Sequence, residues 1–237
     1  MIYKKKVLVV IPARGGSKGI KLKNLRKINK KSLLQITINF AKSLGFVDQI
    51  TVSSDHFKIL KIAKKNKIFS TIRNKKLAGD RVGDFDVLKH AIKNVEEKTL
   101  TRFDIIIYLQ PTSPFRKLKD VKKATKIMIR KKCDSIWSVS EASCKYHPNK
   151  MLELSKVKRL KLYTKRGEKI LARQQLSNIF IRNGLFYIFN KKKLLKKKKI
   201  YLKNMLPYII KHQYVNIDDE RDLKKSRFLA KKSKYNF

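Results

Sequence analysis

KVLVVIPARGGSKGIKLKN, residues 6–24, decides the fold. Val7 to Ile11 is an unbroken apolar, largely β-branched run, the pattern of a strand buried on both faces of a parallel sheet. Pro12 ends it, and the chain enters a loop that combines Gly15, Gly16 and Gly19 with Arg14, Lys18, Lys21 and Lys23. A loop that follows a parallel strand lies at the carboxyl edge of the sheet, where ligands bind, and its backbone N–H groups can form a nest for an anion. Triphosphate recognition is the expected use. The spacing is not GxxxxGK followed by Ser or Thr, and not GxGxxG, which disfavours ordinary ATPases and dehydrogenases.

Outward from this loop the chain repeats the same grammar. LLQITINFAKSLG (33–45) reads as a helix stopped by Gly45, QITVSS (49–54) as a strand and DHFKILKIAKKN (55–66) as a helix. FDIIIYLQ (103–110), LKDVKKATKIMIRKK (118–132) and SIWSVS (135–140) follow in the same order. Strands alternating with helices predict an α/β fold, a mostly parallel sheet with helices on both faces. After about Glu141 the pattern changes: LELSKVKRLKLY (152–163) alternates around a turn near residues 155–158, an antiparallel hairpin in an inserted lobe. GLFYIFN (184–190) returns to strand, and Asp218 or Asp219 caps a terminal helix. The expectation is one domain over 1–237 with a lobe at about 141–182.

The composition is extreme in charge, with 61 Lys and Arg against 17 acidic residues, a formal +44. Such a field attracts polyanions. The lysines are nonetheless spread along the whole chain, without a stripe of interleaved aromatics, a groove-reading helix or a zinc spacing, so nucleic-acid binding is the competing class and the less favoured one. The lysine runs at 191–193 and 196–199 read as a solvated helix end. Cys133 and Cys144 lack CxxC spacing and read as idle thiols. The amino-terminal apolar run passes straight into Arg14 and Gly15, as a first strand does and a signal peptide does not, and no stretch approaches a bilayer span. A soluble cytoplasmic protein with no membrane partner is expected.

Four blocks then carry a resemblance. ARGGSKGIKLKN (13–24), LQPTSPFR (109–116), ARQQLSNIFIRNGLFYIF (172–189) and NIDDERDL (216–223) resemble, in order, the motifs of the acylneuraminate cytidylyltransferase family, the enzymes that make CMP-sialic acid and related CMP-nonulosonates. The resemblance implies transfer of CMP from CTP to the anomeric hydroxyl of an acidic nine-carbon sugar, with release of pyrophosphate. It also implies Mg2+ as cofactor and a homodimer whose small lobe lends residues to the partner's site. CMP-legionaminate and CMP-pseudaminate synthesis are close variants, and CMP-Kdo synthesis fits the RQQ and NG-x-x-Y blocks less well.

The resemblance assigns the triphosphate to Arg14, Lys18 and Lys23 with the Gly15–Gly16 backbone, and nucleotide contacts to Asn24 and Arg73. Arg14, Lys23 and Asp218 are the catalytic candidates. Cations there lower the cost of charge gathering on the α-phosphate and the leaving pyrophosphate. Gln110 and Arg116 flank the rigid turn Pro111–Pro114 and become sugar or phosphate contacts. Arg173, Gln175, Asn183 and Tyr187 match acceptor positions, with core packing the competitor for Tyr187. Lys150, in HPNK (147–150), would approach the partner's acceptor carboxylate. Asp218 and Asn216 are the metal candidates, the latter standing where the family commonly has aspartate. Asp84 stands where a small hydroxyl is common. None of His56, His90, His147 and His212 sits in an acid-base motif, so no general base is named.

Overall fold

Val7, Leu8, Val9, Val10 and Ile11 are all fully buried, because the strand they form, β1 (Val7–Pro12), lies in the interior of a seven-stranded sheet. The computed structural model describes residues 2–233. After β1 comes a small hairpin, β2 (Lys27–Ile28) and β3 (Lys31–Ser32), then α1 (Leu33–Lys42), β4 (Gln49–Ser54), α2 (Phe57–Lys65), β5 (Phe69–Ile72), α3 (Asp84–Thr99), β6 (Ile105–Tyr108), α4 (Leu118–Lys131) and β7 (Ser135–Glu141). A second hairpin, β8 (Leu152–Leu154) and β9 (Leu160–Leu162), precedes β10 (Phe180–Asn190), α5 (Lys191–Lys197), β11 (Met205–Ile209) and α6 (Glu220–Lys232).

The sheet order is β11-β7-β10-β6-β1-β4-β5. β1 pairs in parallel with β4 and β6, β4 pairs in parallel with β5, and β10 runs antiparallel to β6. The parallel alignment puts the loops after β1, β4 and β6 at one edge, as the apolar strands and glycine loop implied. Helix ends follow local chemistry: Ser32 caps α1 by accepting from Gln35 N at 3.1 Å, and α1 ends at Lys42, before Gly45 takes a positive φ of 68°. α3 was not legible in advance. Its glycine start and Asp84-Phe85-Asp86 look like a turn, yet those acids occupy the first helical turn, where they favour the N-terminal dipole.

Contacts divide the chain into two units. The smaller takes Val139–Arg182 and Ile209–Lys211, and the larger takes the rest of the described chain. Within the smaller unit the β8–β9 hairpin pairs Leu152 with Leu162 and Leu154 with Leu160. Its turn closes through Lys158 N to Ser155 O at 2.9 Å.

Within the larger unit a distinct apolar cluster joins the motif segments. Ile20 of the glycine loop, Ile28 of β2, Leu33 and Ile36 of α1, Phe115 after β6, and Val215, Ile217, Leu223 and Ala230 at the C-terminal end bury together. Burying one large aliphatic side chain contributes roughly 1.5–3 kcal/mol. The loops around the sheet edge therefore stand on a hydrophobic base. Glu96, on α3, adds a polar tie: its carboxylate accepts from Lys191 Nζ at 2.7 Å, Phe103 N at 2.9 Å and Arg102 Nη1 at 3.1 Å. Burial by itself would raise that carboxyl, but the three hydrogen bonds together hold it below the usual range.

Candidate active site

Ala13 leaves β1 with its N–H on Ser53 O at 2.9 Å, so the glycine loop starts in register with the end of β4. Gly15 N then donates to Asp55 Oδ1 at 2.9 Å. Farther along, Asn24 is buried and its Nδ2 donates to Arg14 O at 2.9 Å, closing the loop on itself. Asn24 thus shapes the nest at the backbone of Arg14. Gly19 is required by a close approach: a Cβ there would lie 2.3 Å from the carbonyl oxygen of Asp218. The loop and the segment before α6 are in van der Waals contact through that missing side chain.

A cavity of about 490 Å³ opens beside this loop. Arg14, Lys18, Lys23, Arg73 and Asp218 line it, together with Asp80, Asp84, Tyr108 and Gln110. Lys23 Nζ donates to Ile217 O at 2.9 Å and to Asp218 Oδ1 at 3.2 Å. Arg14 Nη1 and Lys18 Nζ both reach Asp80, each at 2.8 Å. Arg73 is only 7% exposed. Its Nε donates to Ser53 Oγ at 2.9 Å, whereas its Nη2 is buried without a hydrogen-bond partner among the described residues. Burial, first of all, draws this guanidinium below its ordinary range. A buried orphan donor on the wall of a cavity is costly by itself and is suited to an acceptor on a ligand.

Tyr108, at the end of β6, donates its hydroxyl to Asp84 Oδ1 at 2.7 Å. Burial, then the charge of Asp84, pushes the phenol well above its ordinary range, so it stays protonated and keeps that bond. Neither residue was read from the sequence as a pair. Tyr108 appeared as one more apolar strand position, and Asp84 as a replacement for a small hydroxyl near the nucleotide.

On the other side of the turn after β6, Ser113 Oγ lies 2.9 Å from Asn216 Oδ1, and Asn216 Nδ2 donates to Asp218 Oδ2 at 2.9 Å. Asn216 and Asp218 therefore converge as the extended spacing implied, but the asparagine carbonyl is turned to Ser113 and its NH2 to Asp218. Its amide thus positions the Asp218 carboxylate. The terminal helix is capped by Asp219, whose Oδ1 accepts from Asp222 N at 2.9 Å. Asp218 is thereby free of capping duty and points its largely exposed carboxylate at the cavity. Among the described residues no group of three or more His, Cys, Asp or Glu is placed to hold a metal ion. One carboxylate does suit magnesium, which keeps several waters around one or two carboxylates plus substrate phosphates.

Three residues expected at the substrate are placed inside the larger unit instead. Arg116 is 4% exposed; its guanidinium donates to Leu185 O and Gln110 O and lies 5.8 Å from the Phe40 ring. It binds the turn after β6 to β10. Asn183 is buried with its Oδ1 accepting from Ser138 Oγ at 2.6 Å and Leu185 N at 3.2 Å. Tyr187 packs on Trp137, ring centroids 4.7 Å apart, so core packing accounts for it. Gly184 between them has φ 72°, and a Cβ would come within 2.6 Å of Ser113 Oγ. The NG-x-x-Y block is thus largely a device for bringing β10 against the turn that carries Gln110. Gln110 does line the cavity.

Lys150, Arg173 and Gln175 belong to the smaller unit, each exposed. Gln175 Oε1 accepts from Leu171 N at 2.7 Å and Ala172 N at 3.0 Å, bracing the turn that presents Arg173. Lys150 follows a turn in which buried His147 accepts from Asn149 N through Nδ1 at 3.1 Å. Cys133 and Cys144 are both free thiols. No helix among the described residues is long and apolar enough to cross a membrane.

The chain is similar to known proteins over most of its length. The chain is 30% identical over 228 residues to post-translational flagellin modification protein B of Campylobacter coli, covering 95% of each. It is 29% identical to the CMP-N,N'-diacetyllegionaminic acid synthase of Campylobacter jejuni, covering 94% of each. It matches the N-acylneuraminate cytidylyltransferase of Streptococcus agalactiae at 29% identity over 92% of its own length but spans only 51% of that protein. In fold it is similar to a solved CMP:2-keto-3-deoxy-manno-octonic acid synthetase complexed with CTP, with a TM-score of 0.73 at 16% identity over 96% of this chain and 99% of the other. The family model for cytidylyltransferases matches residues 8–234. With that match over nearly its whole length, the chain belongs to the cytidylyltransferase family.

Proposed function

We propose that this cytidylyltransferase joins CMP from CTP to the anomeric hydroxyl of a sialic-acid-like nonulosonic acid, with CMP-legionaminate and CMP-pseudaminate synthesis as the near alternatives. The observation that carries the reading is the cavity in which Arg14, Lys18, Lys23 and the half-satisfied Arg73 line a wall with Asp218. The names of the relatives supply the acceptor class.

The hydroxyl oxygen attacks the α-phosphorus, the bond from that phosphorus to the β-phosphate bridging oxygen breaks, and pyrophosphate leaves with the electron pair. The hydroxyl proton passes to solvent or to a base that no residue here identifies. Arg14, Lys18 and Lys23 neutralise charge on the phosphates, and N–H groups of the glycine loop other than those of Gly15 and Ser17, which Asp55 Oδ1 and Gly15 O already take, add to this. Gln110, with one amide donor group and one acceptor, orients the sugar. Magnesium, when bound, would be held by Asp218 and would supply further neutralisation of the phosphates.

The smaller unit is proposed as a dimerisation lobe that carries Lys150, Arg173 and Gln175 to a partner's acceptor. Its surface supports this: Leu152, Leu154, Val157, Leu160 and Leu171 are all more than half exposed, a concentration of apolar side chains that suits burial in an interface. Work in the cytoplasm, where CTP is available, and a place in surface polysaccharide biosynthesis belong to the same proposal. Pyrophosphate release from CTP in the presence of a panel of nine-carbon acids, with Kdo, UTP and ATP as controls, tests it. Release without any acidic sugar, or preference for the eight-carbon acid, would reject the assignment.

A further inference from the structure

Asp80 is gripped at both ends. Its Oδ1 accepts from Arg14 Nη1 at 2.8 Å, and its Oδ2 pairs with Lys18 Nζ at 2.8 Å. All three residues line the cavity, and Asp80 comes from the stretch between the short turn Lys75–Leu77 and α3, far in sequence from the glycine loop. A carboxylate that offers one oxygen to each of two cations reproduces the edge of a phosphate, two oxygens sharing negative charge.

We propose that Asp80 is an internal counterion that occupies the phosphate-binding cations of the glycine loop, is displaced by the incoming triphosphate, and returns to help expel pyrophosphate. This rests on the reading of the cavity as the CTP site. Asp80 covers Arg14 and Lys18, neither of which reaches a backbone carbonyl among the described residues in the way Lys23 reaches Ile217. Phosphate oxygens brought to the same two cations would set like charges beside Asp80 with little protein between them, so the carboxylate must give way. It can do so readily. Asp80 is partly exposed, and within residues 78–83 the backbone is tied by a hydrogen bond from Val82 N to Gly79 O that is long, at 3.3 Å. The Lys18 hydrogen bond foremost, and Arg14 after it, hold the Asp80 carboxyl below the usual range, so it remains a full competitor for the cations at neutral pH.

Asp80 acts on the substrate through Arg14 and Lys18, which makes it a positioning residue with an effect of unusual sign. Removing its charge tightens phosphate binding, whereas a residue that merely held the two cations in place would weaken it when removed. The experiment is calorimetric titration of inorganic pyrophosphate into the whole protein, unaltered and as Asp80→Asn, Asp80→Ala and Asp80→Glu, with thermal melting of each. Asp80→Asn and Asp80→Ala should bind pyrophosphate about two- to fivefold more tightly, the range set by loss of one surface competitor. Asp80→Glu should restore the weaker binding. In turnover, KM for CTP and the inhibition constant of pyrophosphate should fall together in Asp80→Asn, and kcat should fall where pyrophosphate release limits the rate. Equal or weaker pyrophosphate binding by both neutral variants overturns the proposal, as does failure of any of the proteins to bind it. Turnover of CTP with a nonulosonic acid is measured on the same samples: its absence from the unaltered protein would remove the proposed reaction, while tightened pyrophosphate binding in Asp80→Asn would still establish the counterion.

Discussion

Lys23 Nζ lies 3.2 Å from Asp218 Oδ1, a contact between residues 195 positions apart that ties the glycine loop to the segment before α6. The same ammonium donates to Ile217 O at 2.9 Å and is only 13% exposed. The pair sets a cation and an anion side by side on the cavity wall, the first suited to phosphate and the second to a metal ion.

Lys23→Ala should therefore lower turnover by about two orders of magnitude, the effect of removing a desolvated charge that faces a transition state, worth on the order of 3 kcal/mol. Arg14→Ala should fall in the same direction but by less, since Arg14 is more exposed and shares its task with Lys18. Circular dichroism should show both variants folded. Normal kinetics in both would move the CTP site away from this loop.

Asp218→Asn should depress turnover sharply at saturating CTP, because the cavity then loses the carboxylate proposed for magnesium. Asn216→Asp has a different signature. It replaces the amide that donates to Asp218 Oδ2 at 2.9 Å with a second carboxylate, so the two repel. The variant should melt earlier without magnesium, recover its melting temperature as magnesium is added, and need less of the ion for turnover. A magnesium titration of stability and rate in parallel decides this, and an unchanged rate profile for Asp218→Asn would refute the metal assignment.

Gly19→Ala and Gly16→Ala separate packing from loop composition. At Gly19 the added carbon meets the backbone oxygen of Asp218 at 2.3 Å, whereas at Gly16 it meets nothing within 4 Å. The first should destabilise the protein by about 1–3 kcal/mol and lower activity by displacing Asp218; the second should leave the melting temperature nearly unchanged. Equal melting temperatures for the two variants would contradict the close approach.

Glu96 provides the pH prediction. Its folded carboxyl is held low, so its contribution to stability is complete above the unfolded carboxylate value of about 4 and is lost as pH falls through the folded value. Glu96→Ala should cost about 3 kcal/mol at neutral pH by leaving the Lys191 ammonium without its partner. The variant's denaturant midpoint should also vary less with pH below 5. A midpoint curve parallel to that of the unaltered protein would show that other carboxylates carry the acid sensitivity.

Much of the larger unit was legible beforehand because its information is local. Val7–Ile11 and Ile105–Tyr108 declare a doubly buried strand by composition alone, and a glycine-rich basic loop directly after such a strand has one place to go in a parallel sheet. The β8–β9 hairpin likewise follows from alternation around a turn, since side chains two apart share a face of a strand. Arg14, Lys18 and Lys23 stand in that loop, while the roles given to them and to Arg73, Gln110 and Asp218 came from the resemblance to the family's motifs; all line one cavity.

Tertiary structure alone decided what those signals leave open. Arg116, Asn183 and Tyr187 stand in motifs beside cavity residues, yet the carbonyls of Gln110 and Leu185, the hydroxyl of Ser138 and the ring of Trp137 take them inward. Asp80 and Asp84 became meaningful only when the fold set the first against Arg14 and Lys18 and the second against Tyr108. The physical reason is range. Periodicity along a chain reports which face of a helix or strand avoids water, but the direction of a polar side chain is settled by the partner that satisfies it, and here most of those partners arrive from segments tens of positions away.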